Sequence, residues 1–167
     1  MKKNLFLVVV LLVFVVTVKA QVYDEKPIKF GVGAVVGLPM DAAKDYYNLA
    51  YGVDALGEYR ISNSFALTLN IGYSDLNKKS GVIQNRKLIY GLAGVKYYFA
   101  DNFYGGLQAG IRLKASSGMD TKLILTPAIG MNITKDIDLS IRYQSQVEQG
   151  YNFSFIGLRL GVRIISF

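Results

Sequence analysis

Ten consecutive residues, Phe65–Ser74, alternate between large apolar and small or polar side chains. Phe65, Leu67, Leu69, Ile71 and Tyr73 fall on one face; Ala66, Thr68, Asn70, Gly72 and Ser74 fall on the other. A period of two is that of a β-strand with chemically opposite faces. The polar face lacks the Lys and Glu of a water-exposed strand and is built from small residues, glycine among them. That combination suggests a closed barrel turned inside out, with its apolar face toward lipid.

Seven further segments carry the pattern: Pro27–Leu38, Leu49–Ile61, Lys87–Phe99, Phe103–Lys114, Lys122–Ile133, Ile137–Gln146 and Phe153–Ile165. All are long for soluble strands, which run about five or six residues, and match the roughly 9–11 that a tilted strand needs to cross a bilayer. Tight links at Ser62-Asn63-Ser64, Ala100-Asp101-Asn102 and Thr134-Lys135-Asp136 alternate with longer ones at Pro39–Asn48, Asp75–Arg86, Ala115–Thr121 and Val147–Asn152. Short turns at one end and long loops at the other are the connectivity of outer-membrane barrels. The expected fold is all-β: an eight-stranded antiparallel up-and-down transmembrane β-barrel of the outer-membrane type.

The N-terminus supplies an address. Lys2 and Lys3 precede an apolar run from Leu5 to Val16, and Val18-Lys19-Ala20 follows before Gln21. This is the form of a secretory signal peptide cut between Ala20 and Gln21. A retained anchor is the alternative, but the run is short beside the roughly 20 apolar residues of a spanning helix. Residues 1–20 are thus assigned to a signal and 21–167 to one barrel domain. The leader holds three of the 19 basic residues and no acid, so the formal charge falls from +7 to +4 on cleavage. The remaining basic residues are scattered rather than gathered in a stripe, which disfavours nucleic acid as a partner.

Alternation does not say which face points outward, and a soluble lipocalin-like barrel would reverse it. Three features favour lipid on the apolar side. Gly31, Gly33, Gly52, Gly72, Gly94, Gly106, Gly110, Gly130 and Gly161 share the polar phase, where a crowded lumen needs small residues and a water-facing strand gains nothing from them. Aromatic residues gather near segment ends, with Tyr59, Phe65, Tyr97, Phe99 and Phe103 at the turns and Tyr51, Tyr73 and Tyr143 at the loops, as in the two interfacial belts. The apolar phase is also too rich for the narrow interior of eight strands. Two departures stand out: Pro127 within the sixth segment predicts a bulge or local irregularity, and strict alternation after Ile164 places Phe167 in the inward phase.

Over the whole mature chain the sequence resembles the small OmpA/OmpX-like outer-membrane barrels. The residues that carry the likeness are the segment Gly94–Phe99, the following Asp101–Gly106 and the closing Gly157–Phe167. The resemblance implies residence in the outer membrane of a Gram-negative-type bacterium, contact with its lipid, and Phe167 as the aromatic signal shown to the barrel-assembly machinery.

Chemistry is sparse. With no Cys and no His, disulfides, thiolate metal sites and imidazole catalysis are excluded, and no metal, cofactor or catalytic set is expected. Asp54 and Glu58 share a face, but about 13 Å separates residues four apart on a strand, too far for a glycosidase pair. The inward phase gathers Lys29, Asp54, Glu58, Arg60, Lys96, Arg112, Lys114, Asp138, Arg142, Arg159 and Arg163. Such charges either pair with one another to fill the lumen or, being mainly cationic, form an anion-preferring constriction. The sequence therefore predicts a non-enzymatic barrel that acts structurally and through its loops on a surface protein or glycan. The alternatives are a narrow path for a small or apolar solute, and an accessory part of an envelope secretion or assembly complex.

Overall fold

The structure, a computed structural model, describes residues 26–81, 86–113, 122–148 and 151–167. The signal segment and Lys114 lie outside the described residues. The strands are β1 (Ile28–Asp41), β2 (Tyr47–Arg60), β3 (Phe65–Lys78), β4 (Arg86–Tyr98), β5 (Phe103–Leu113), β6 (Leu123–Asn132), β7 (Ile137–Glu148) and β8 (Tyr151–Ser166). They pair in chain order and close into a barrel between β1 and β8. Every neighbouring pair is antiparallel. Closure leaves no unpaired sheet edge, which is what makes a β-structure viable in lipid.

Alternation sets the faces. Val32, Val36, Val53, Leu67, Leu69, Ile71, Leu107, Ile129, Ile141, Leu158 and Leu160 are exposed on the outer wall, and Leu69 is 61% exposed. Their inward neighbours are buried or partly buried. An apolar band this extensive around a closed wall is a lipid-facing surface rather than a water-facing one. Inward glycines are required where strands crowd: a Cβ at Gly94 would lie 2.1 Å from the Leu107 carbonyl oxygen, and one at Gly110 2.0 Å from that of Gly91.

The tight turns follow from short polar side chains. Ser62 Oγ accepts from the Phe65 amide at 3.1 Å, and Thr134 Oγ1 accepts from the Ile137 amide at 3.0 Å. Both hydroxyls replace a backbone partner in the reversal, as Ser and Thr do in such turns.

Three expectations change. First, the strands extend further at the loop end than the alternation indicates: β1 reaches Asp41, β2 starts at Tyr47, β3 reaches Lys78, and β7 and β8 run to Glu148 and from Tyr151. The links expected at 39–48, 75–86 and 147–152 shrink accordingly, and the first holds a short helix, α1 (Ala43–Tyr46). Beyond the lipid the outer face need not be apolar, so the alternation fades while hydrogen-bond pairing continues.

Second, of the bulge or local irregularity expected at Pro127, the structure shows the irregularity without a bulge. The β6–β7 ladder is paired at Leu125–Ser145 and again at Ala128–Arg142 without a change of register. The missing amide opens a gap in the ladder and adds no residue. Third, the bulge sits in β8. Phe30 faces Ile165 whereas Gly31 faces Arg163, so Ile164 is the extra residue. Ile164 and Ile165 are both exposed, and the phase flips so that Phe167 is 63% exposed on the outer wall. Phe167 is tied to β1 through mutual backbone hydrogen bonds with Ile28 at 2.9 and 3.1 Å.

Candidate functional site

The interior has two tiers with different chemistry. Toward the loops it holds an apolar cluster, in which Val35, Ala50, Leu76, Leu88, Phe153 and Phe155 pack together under Ala43 of α1, beside the buried polar side chains of Ser74, Arg112, Gln144, Gln146 and Ser154. Tyr47 meets Phe153 edge-on at 5.7 Å between ring centres. Tyr90, Leu92 and Ile124 form a second apolar cluster. Alternation alone does not reveal this tier, because its residues interrupt a phase that is polar nearer the turns.

Toward the turns the interior is ionic. Asp54 of β2, 5% exposed, receives Arg159 of β8 through Nε at 2.9 Å and Nη2 at 2.7 Å, and Arg142 of β7 through Nη1 at 3.0 Å. Arg159, itself 1% exposed, donates its Nη1 to Asp138 at 2.9 Å. Asp138 also accepts from the Tyr104 hydroxyl at 2.6 Å and lies 3.9 Å from Lys96 Nζ. Lys96 meets Glu58 at 3.0 Å, and Glu58 further accepts from Tyr98 at 2.9 Å and from Arg60 at 3.4 Å. One connected path therefore runs Arg142, Asp54, Arg159, Asp138, Lys96, Glu58, Arg60. Each carboxylate has at least two donors, the condition under which buried charge is tolerated.

Two aromatic rings complete the tier. The Arg60 guanidinium lies 4.1 Å from the centre of Tyr98, and Lys96 Nζ 4.2 Å from that of Tyr104. Desolvated cations are stabilised over such faces. Both tyrosines belong to the network as fully as the carboxylates, yet the reading of charges omitted them. Their inward phase beside Lys96 was the available signal.

The other expected members stand apart from this path. Arg112 of β5 lies toward the loops and donates to Gln146 at 3.2 Å. Arg163 sits at the turn end, where it donates to the backbone carbonyl of Lys135. Lys29 lines a small turn-end void of about 40 Å³ together with Glu58, Lys96 and Asp138. A second void, of about 20 Å³, lies between β4 and β7. Each is of the order of one or two waters. At the loop rim, Asp41 holds a left-handed backbone (φ 48°) and accepts from Tyr143 at 2.7 Å and from Ser154.

No protein-family model matches the chain, and no curated protein matches it. Solved structures do. The crystal structure of Ail from Yersinia pestis in complex with the heparin analogue sucrose octasulfate is similar at a TM-score of 0.57 and 15% identity, covering 84% of this chain and 100% of that one. Neisserial surface protein A gives a TM-score of 0.54 at 17% identity over 83% of this chain and 96% of that one. A de novo designed transmembrane β-barrel gives 0.56 at 15% identity over 85% of this chain and 100% of that one. A likeness shared equally with a designed sequence speaks for geometry and not for a task. The chain has the fold of the small eight-stranded outer-membrane β-barrels.

Proposed function

We propose that this protein is a non-enzymatic barrel of the outer membrane whose lumen is a structural core and whose working surface is the loop rim. The observation that carries the reading is the filled interior. Among the described residues, the voids inside the wall are about 40 and 20 Å³, far below the several hundred Å³ of a small-molecule site. A larger hollow of about 710 Å³ is lined mainly by outward residues such as Val32, Val53, Ile71 and Leu160 and lies on the lipid-facing wall. A solute path would have to cross both tiers, so the transport reading loses ground to the surface one. The lumen charge network then serves as the polar half of the core.

At the rim, Lys44, Lys78 and Lys87 are exposed beside the exposed acid Asp45, while Asp41 and Asp75 engage the hydroxyls of Tyr143 and Tyr73. A lysine-rich rim suits an anionic partner, and a sulfated glycan is the probe of choice because Ail, of like fold, holds a heparin analogue. The test is retention of the detergent-extracted barrel on immobilised heparin across a salt gradient. Retention that falls on replacing Lys44, Lys78 and Lys87 by Ala supports the reading. Retention unchanged by those substitutions, or none at low salt, removes the glycan as partner.

A further inference from the structure

The void between β4 and β7 arises from missing side chains. Across the sheet, Lys96 pairs with Gly106, Gly106 with Ala128, and Ala128 with Arg142. Two long cations thus bracket two of the smallest residues in one row. The space of about 20 Å³ left over the small pair is walled by Lys96, Tyr104, Gln108, Ser140 and Arg142. Unlike the turn-end void, it has no carboxylate in its wall.

Two residues of its wall keep polar atoms without a partner. Arg142, 5% exposed, spends Nη1 on Asp54, while its Nε has no hydrogen-bond partner. Ser140 Oγ, on a residue 2% exposed, has none either. Leaving a guanidinium N–H buried and unpaired is costly. The charge balance points the same way: along the connected path, four cations (Arg60, Lys96, Arg142, Arg159) share three carboxylates (Asp54, Glu58, Asp138). The path thus carries one positive charge more than its carboxylates balance, and two of its cations, Lys96 and Arg142, wall this pocket.

We propose that this pocket is a binding site for one small monovalent anion of the halide class, held between Lys96 and Arg142 with Ser140 as a further donor. A space of about one water suits chloride and excludes sulfate or phosphate. The bound ion neutralises the surplus charge and satisfies the unused donors, so it acts as an integral part of the core.

Gly106 makes the site testable. A Cβ there would meet nothing closer than the Val95 carbonyl oxygen at 3.6 Å and Lys96 Cγ at 3.8 Å, so Gly106→Ala fits the backbone while filling the pocket. The barrel is extracted in detergent and its thermal unfolding followed in sodium bromide and in sodium gluconate at equal ionic strength. Crystals grown in bromide locate the ion by anomalous scattering. Expected are a bromide peak between Lys96 and Arg142, a Tm that climbs with bromide but not gluconate, and loss of both in Gly106→Ala. Ser140→Ala keeps the pocket and removes one charge-assisted bond, which should raise the half-saturating bromide concentration about tenfold or more. The proposal is overturned by a pocket without anomalous signal, which makes its occupant water, or by a Tm indifferent to the choice of anion. A bromide response of wild-type size in Gly106→Ala overturns it as well.

Discussion

Asp54 carries more of the interior than any other single residue. It is the acceptor for two arginines from strands that are not its neighbours, Arg142 of β7 and Arg159 of β8. Removing one member of a buried charge cluster strands its partners without a counter-ion, and typically costs about 3–5 kcal/mol. Asp54→Ala should lose about that much, read from urea unfolding of the barrel in lipid vesicles. A loss below about 1 kcal/mol, the usual worth of an exposed pair, would mean that water reaches the site. On the outer wall the scale differs. Leu69 faces lipid, and Leu69→Arg should cost about 2–4 kcal/mol near mid-membrane in the same titration, in vesicles of matched thickness. The sequence made the signs and phase of these charges legible. Which cation meets which carboxylate was not legible, because Asp54 and Arg159 are brought together only by the register of eight strands and the closure of β1 on β8.

The closing strand shows how one residue can re-aim an element. Counted by strict alternation, Phe167 belongs inside; the extra residue Ile164 turns it out, where it stands beside Ile28 at the turn end. A bulge of this kind leaves no mark in an apolar run, since Ile-Ile reads equally well in either phase. Pro127 is the opposite case, a mark visible in sequence whose irregularity is a gap in the ladder and not an added residue. If an outward aromatic at the end of β8 is what the assembly machinery reads, deleting Ser166, which follows the bulge, should shift the phase by one residue and direct Phe167 inward. The expected result is a fall in the folded, heat-modifiable fraction recovered from membranes, comparable to that of Phe167→Ala. Deletion with full recovery, alongside a defective Phe167→Ala, would show that side-chain direction at this position is immaterial.

At the scale of the whole barrel, the interior is sealed twice by unlike means. The alternation could foretell a crowded polar lumen, but not the apolar cluster, since Leu76, Phe153 and Phe155 occupy the inward phase that is small or polar nearer the turns. The two seals are independent in space: Phe155 packs among Val35 and Leu88 toward the loops, whereas Arg159 bridges Asp54 and Asp138 toward the turns. An ion crossing the barrel must pass both, so opening either alone should leave it closed. Planar bilayers should therefore show no steady conductance for the wild type, none for Phe155→Ala, and none for Arg159→Ala. The combined variant should conduct. Because a buried Phe→Ala change alone costs about 3–5 kcal/mol, each protein is first shown to be folded by heat-modifiable migration. Conductance in the wild type would return the barrel to the transport reading. Conductance in Phe155→Ala alone would show that ions already thread the charge network, and that the apolar tier is the gate.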